Sequence, residues 1–443
     1  MSKETMGKPE TLRTQRLDQD LAHVQTKAWH WNRPGKDYTV RPEDLVPALA
    51  GVIGKIALVA AFAVAWKNGL GIESPDFVAE NVRLELFVAS ILTIIFSAIL
   101  HPRLGPPGTL APLIPLVPAM AAAGVHPLAF GLLLGAAGIA LAASGSFSRI
   151  MTLTGPGTKS GILLLFGLMG IASSLRSLWS WSQARSASLA TIAVISLGIA
   201  LVVVLQRYKI RWLVIPGLAA LALLLAWLFG ISPPLVTPPG LPLLNPGLWW
   251  LEKWGLGWPD SPADFIKPIP FVLLAIVMWP TDALAIQTIL ENNYGPAGRR
   301  ATFLLNPTYL LVSVRNIIGV LLGGAQTAAI WRSFMIPLGV VRRPIGASAL
   351  FLGLFGVIAS ISGAPLDWAV FPLLLWPVLI FGVYLPMVEN GIQALGINKR
   401  AIPAALACLV AGWMFQPVVG WILGLVLEKL QIVLYQRRSK QPG

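Results

Sequence analysis

Apolar runs recur at nearly regular intervals from residue 46 to residue 434, separated by short stretches that hold most of the charge. Runs of this length cross the hydrocarbon of a bilayer, where only helices and closed barrels satisfy their own backbone. Their spacing places spans at 46–66, 84–101, 105–122, 126–143, 160–178, 187–206 and 212–231. After a loop at 232–264 rich in Pro, Gly and Trp, a second set falls at 267–292, 303–322, 325–341, 345–363, 366–388, 401–416 and 417–434. Several are short for a full crossing, as expected of half-helices covered by protein. With 56% apolar and 12% charged residues, the chain reads as an all-α polytopic membrane protein with fourteen transmembrane segments. The single cysteine, Cys408, excludes a disulfide framework and a thiolate metal cluster.

The charges test this count. A formal net charge of +14 could suggest nucleic acid, but no nucleic-acid partner is expected, because the bases collect in alternate loops. With the N-terminus inside, the cytoplasmic loops hold Arg103; Arg149 and Lys159; Arg207, Lys209 and Arg211; Arg299 and Arg300; Arg342 and Arg343; and Lys399 and Arg400. The C-terminal tail adds Arg437, Arg438 and Lys440, whereas Glu73, Asp76, Glu80, Asp260, Asp264 and Asp367 lie on the opposite side. Arg176 and Arg185 run against the pattern. The expected division is a cytoplasmic tail at 1–44, a first seven-helix repeat at 45–231, an extracytoplasmic loop at 232–264, a second repeat at 265–434 and a cytoplasmic tail at 435–443. The tail at 1–44 reads as polar and only partly ordered. The WWLEKWGLGW stretch in the loop reads as an interfacial aromatic belt.

Seven is odd, so the second set enters the membrane upside down relative to the first, as a 7+7 inverted repeat. The third and tenth spans, at matching places in the two halves, are both opened by helix-breaking or small residues. These are Gly105-Pro106-Pro107-Gly108-Thr109 and Gly323-Gly324-Ala325-Gln326-Thr327. Paired interruptions of this kind point to a transporter's binding site. A helix resuming at Ala325 aims free N–H groups and its positive dipole end into the break. Arg332 lies in that span, and a membrane guanidinium persists only where something pairs with it or must bind it.

The run from Arg315 to Arg343, with Asn316, Gly323-Gly324, Arg332-Ser333 and a basic Gly/Pro boundary, resembles the ninth and tenth helices of the sulfate permease (SulP) transporters. These share a fold with the uracil and nucleobase–ascorbate permeases. VPALAGVIGKIALVAA at 46–61 and PLIPLVPAMAAAGVHPLAFG at 112–131 are similar to a bacterial family of integral membrane proteins of unknown function related to both. The resemblance spans roughly 45–434. It implies a core domain of helices 1–4 and 8–11, a gate domain of helices 5–7 and 12–14, and a substrate between the facing N-termini of helices three and ten. By position it assigns Leu110 and Ala111 to the third-helix site, Asp282 to the eighth-helix acidic position, and Arg332 with Ser333 to the tenth-helix site. Two departures narrow it. No C-terminal STAS domain follows within the 443 residues, and Gln326 and Thr327 stand near the place of the glutamate with which nucleobase permeases grip the base.

Asp282 reads either as a proton or sodium site or as the partner of Arg315 or Arg332. Arg315 reads as structural, and Lys55 as facing the site or snorkelling to the interface. His126 and Glu389 read as interfacial. Three mid-membrane bases (Lys55, Arg315, Arg332) against one acid (Asp282) favour an anionic substrate. The scattered histidines, His23, His30, His101 and His126, and the lack of HExxH or GxSxG motifs argue against an enzyme, and no cofactor is implied. The expectation is therefore a secondary active transporter in the bacterial inner membrane. It carries a small anion such as sulfate, bicarbonate or a carboxylate, with proton coupling preferred to sodium, and a homodimer is compatible with it. Alternatives are a nucleobase-like neutral solute permease, an anion channel, or a non-transporting scaffold or sensor.

Overall fold

Long, predominantly apolar stretches wind into helices, and many of them begin or end at glycine or proline. The computed structural model describes residues 29–147, 155–208, 210–231, 237–294, 302–397 and 399–439. The loop bases Arg149, Lys209, Arg299, Arg300 and Lys440, and His23, lie outside the described residues. The first half holds α1 (Leu45–Leu70), α2 (Phe77–Leu92, continued as a wider π-wound stretch over Thr93–Leu100), α3 (Ala111–Ala122, opening with a tight 3-10 stretch), α4 (Pro127–Ala143), α5 (Pro156–Ala184), α6 (Ser188–Arg207) and α7 (Val214–Leu228). The second half holds α8 (Ile269–Tyr294), α9 (Leu305–Leu321), α10 (Arg332–Val341), α11 (Ile345–Ser362), α12 (residues 372–397), α13 (Ile402–Met414) and α14 (Pro417–Ser439). Among the described residues, eight helical stretches are long and apolar enough to cross a membrane, whereas those at α3, α4, α9 and α10 are shorter apolar helices. The chain is a multi-pass helical membrane protein.

Packing sorts these helices into two groups. In one, α1 is central and touches α2, α3, α10 and α11, while α4 packs along α9 and α8 lies against α4 and α10. In the other, α5 packs against α12, α13 and α14, and α7 packs against α6 and α12. Small residues allow the close approaches, as where Gly135 of α4 meets Ile317 and Ser313 of α9.

Two segments differ from their sequence reading. Residues 29–44, the described part of the stretch read as a partly ordered tail, are fastened to the helices. Asn32 donates to the Ile99 carbonyl (2.9 Å), and the buried Asp44 binds Arg343 (2.9 Å) and Ser348 (2.6 Å). Buried polar bonds, together with the buried Tyr38 ring, hold this polar stretch, and hydropathy does not register them. The tryptophans of WWLEKWGLGW are not all a surface belt either. Trp249, Trp250 and Trp254 are buried, and only Trp258 is exposed. The Trp254 indole donates to the Gly323 carbonyl (2.9 Å), so this segment covers one end of the break between α9 and α10.

Candidate functional site

The chain leaves α9 at Leu321 and turns at Gly323, whose φ of +93° lies in the left-handed half of backbone space. Its carbonyl also accepts from Asn81 (3.2 Å), and the N–H groups that follow are taken by side chains. Ala325 donates to Asn81 (2.7 Å), Gln326 to Glu85 (3.4 Å) and Ala328 to Asn316 (2.8 Å). The helix therefore does not resume at Ala325 as the sequence suggested. Residues 325–331 instead run extended and antiparallel to 106–110. Leu110 donates to Thr327 (2.8 Å), Gly108 to Ala329 (2.6 Å) and Trp331 to Pro106 (2.9 Å), with a bridge between Pro107 and Ile330. A Cβ on Gly108 would overlap the Trp331 backbone, so this crossing requires glycine there. The two interruptions seen in the sequence thus satisfy each other's backbone at membrane depth.

The half-helices that leave this crossing are unlike. At the start of α3, Ala111 donates to Thr109 (3.0 Å), Leu113 donates to Leu110 (3.0 Å), and Pro112 has no N–H. At the start of α10, Trp331 is consumed by Pro106. Among the described residues no protein group accepts from the N–H of Arg332 or Ser333. The Ser333 hydroxyl donates to the Gly51 carbonyl (3.3 Å). Among the described residues, the N–H groups of Arg332 and Ser333 at the first turn of α10 are thus donors left for a ligand.

Two ion pairs flank the crossing. Arg332 donates through Nη1 to Asp282 of α8 at 3.1 Å; the arginine side chain is 32% exposed and the aspartate 10%. Arg315 of α9 faces Glu85 of α2, and both side chains are completely buried. Asp282 therefore partners Arg332 and not Arg315, and Glu85 is a buried acid that the count of one mid-membrane acid left out. Glu85 escaped the sequence reading because the second span was started at residue 84, whereas α2 begins at Phe77 and carries Glu85 two turns inside. Lys55 neither faces the site nor snorkels. Its ammonium is buried, donates to the carbonyls of Gly108 (3.1 Å) and Pro107 (3.4 Å), and lies 4.8 Å from the centre of a Trp331 ring, tying α1 to both extended segments.

A cavity of about 290 Å³ opens beside the crossing, between α1, α3, α8 and α10 on one side and α7 and α12 on the other. Of the residues singled out from the sequence, Ala111, Asp282, Arg332 and Ser333 line it. Leu110, Gln326, Thr327, Arg315 and Lys55 do not; they build the wall behind it. The sequence reading missed Thr109, which also lines the cavity, and the pair of Arg211 with Glu389, the latter read as merely interfacial. The opposing wall is apolar, with Ile215, Phe381 and Met387. The α10 terminus and the Arg332–Asp282 pair thus bring polar groups to the α8–α10 side of the cavity.

A family described as "Protein of unknown function (DUF3360)" matches residues 6–442. No curated protein matches the sequence. Among solved structures, one described as the overall structure of SLC26A9 superposes with a TM-score of 0.61 at 13% identity, over 89% of this chain and 65% of that one. The murine Slc26a9 anion transporter in its inward-facing state gives 0.57 at 12% identity, over 98% and 73%. The transmembrane domain of a cyanobacterial bicarbonate transporter, BicA, gives 0.53 at 15% identity, over 86% and 97%. The chain spans 65% of the length of the first of these. At such identities the likeness is one of fold, and it is the fold that the resemblance to sulfate permeases implied.

Proposed function

Since the chain belongs to the DUF3360 family of proteins of unknown function, we propose from its site that it is a secondary transporter of a small anion, coupled to protons. The observation that carries this reading is the α10 terminus: two N–H groups without partners among the described residues and a partly exposed guanidinium lining a cavity of about 290 Å³. Donors fixed before the ligand arrives bind an anion without reorganisation, and a helix N-terminus adds partial positive charge. The similar folds of the murine Slc26a9 anion transporter and of the bicarbonate transporter BicA support this reading. Gln326 speaks against a nucleobase-type grip, because its amide is occupied by Glu85 and Thr109.

Coupling follows from the Asp282–Arg332 pair. An anion that takes the guanidinium leaves Asp282 as an uncompensated carboxylate in a site of low dielectric, and a proton neutralises it at the least cost. Anion and proton then travel together, and neither moves far alone. In this reading fourteen segments cross the bacterial inner membrane as a 7+7 inverted repeat with both termini in the cytoplasm. The α1–α4 and α8–α11 group moves against the α5–α7 and α12–α14 group, and the cavity, with Arg211 and Glu389 at its mouth, faces the cytoplasm.

The test is uptake into proteoliposomes under an imposed pH gradient. Asp282→Asn retains anion binding and anion exchange but loses accumulation driven by the proton gradient. A variant that still accumulates anion on that gradient overturns the coupling, and wild-type protein that moves no anion at all overturns the transport reading.

A further inference from the structure

Arg176 and Arg185, the two bases that run against the alternation of loop charge, lie on and just after α5, and the transport site uses neither. With 29 residues α5 is roughly 43 Å long, more than a hydrocarbon core of about 30 Å. Arg176 lies roughly 30 Å along it from Pro156, where the hydrocarbon gives way to headgroups. Trp179, less than one turn further on, and Trp413 of the neighbouring α13 are exposed, as interfacial tryptophans are. Arg176 is exposed too, and among the described residues no group pairs with it. On this side α5 and α13 enclose a groove of about 520 Å³ lined by apolar side chains alone, among them Leu168, Ile171 and Leu175 of α5 and Leu409 and Val410 of α13. Ala172 also lines it, and Arg176, four residues on, stands one turn above Ala172 on the same face.

We propose that this groove and Arg176 form a binding site for one anionic phospholipid, with an acyl chain along the groove and the phosphodiester on the guanidinium. A lipid tail is as apolar as the leucines that line the groove, so the groove receives a chain without choosing among lipids. The choice comes from the head. A guanidinium at the membrane surface forms charge-assisted hydrogen bonds with phosphate, and its stem is long enough to follow the headgroup outwards. A base on the outer side works against insertion by the positive-inside rule, and a bound anionic head gives it a partner there. A second copy of the chain fits worse. Docked by this face about a two-fold axis, it would set Arg176 against the same residue of its partner.

Native mass spectrometry of the purified full-length chain, titrated with phosphatidylglycerol or with phosphatidylcholine of the same acyl chains, reads the affinity for each lipid. Phosphatidylglycerol is expected to bind roughly fivefold more tightly, the worth of one base beside an anionic head. Arg176→Gln brings the ratio to one at an unchanged melting temperature, and Arg176→Lys restores part of it. Arg185→Gln removes the same charge roughly 13 Å further along and leaves the ratio as it was. Ala172→Trp fills the groove and weakens both lipids alike. Equal wild-type affinities, a ratio unaltered in Arg176→Gln, or equal losses in the two glutamine variants overturn the proposal. A dimer that Ala172→Trp dissolves assigns the groove to a second copy and overturns it as well. The measurement needs neither flux nor a gradient, so it stands or falls separately from the transport reading.

Discussion

Glu85–Arg315 and Asp282–Arg332 are chemically the same pair, a carboxylate and a guanidinium held between neighbouring helices, yet they occupy different worlds. The first has no exposed surface on either side chain. The second opens onto the cavity through an arginine that is 32% exposed. A sealed pair cannot trade partners, because each member left alone is a charge in a medium that does not solvate it. A pair with one side open can exchange its internal partner for a ligand. The difference suggests a division of labour, with Glu85 and Arg315 fixing the geometry of the crossing and Asp282 and Arg332 working at its mouth.

The strongest way to break this comparison is to neutralise one member of the sealed pair. Glu85→Gln leaves the Arg315 charge uncompensated, at a cost of about 3–5 kcal/mol. The substitution also disturbs the bonds that hold Gln326 at the break. The variant is expected to melt far below wild type in detergent, and Glu85→Gln combined with Arg315→Met recovers much of the loss. A Glu85→Gln protein as stable as wild type would mean that the dry pair holds nothing together.

The open pair predicts a different outcome. Arg332→Ala removes the guanidinium from a partly solvated place, so the protein folds, but anion affinity measured by calorimetry falls roughly 10- to 100-fold, the worth of a charged hydrogen bond. Arg332→Lys recovers part of it, since the charge survives and the planar fork does not. Wild-type affinity in Arg332→Ala would erase the distinction between the pairs from the functional side.

Much of this arrangement was legible in the sequence, for reasons that can be named. The helices follow from long apolar runs, and the two interruptions follow from Gly105-Pro106-Pro107-Gly108 and Gly323-Gly324 at matching places in the two halves. Asp282 and Arg332 stood out because a charge in such a run needs a reason. Other features left no local signal. AQTAAI at 325–330 reads as helix by composition, and it is extended only because 106–110 lies beside it, a long-range pairing that no local pattern encodes. Glu85 was hidden by a misplaced span end of a few residues, which moved a charge from the interior to the interface. Thr109 was passed over as part of the helix-breaking motif, because a threonine acquires its direction only from Gln326, whose own orientation depends on the unseen glutamate.

The rim pair, Arg211 with Glu389, sharpens the comparison from its wet end. Their side chains are 33% and 27% exposed, so water and salt reach both. Such a pair contributes about 0–1 kcal/mol to stability, and its influence on an arriving anion is through the field at the cavity mouth. Glu389→Gln removes a negative charge there and frees Arg211, so initial anion uptake at low ionic strength rises about two- to threefold. The gain fades as salt is raised towards 1 M, where the screening length is about 3 Å. Melting temperature stays close to wild type, in contrast with Glu85→Gln. A gain that survives high salt would show that Glu389 acts by contact with the substrate and not through its field, and the cavity mouth would then belong to the binding site itself.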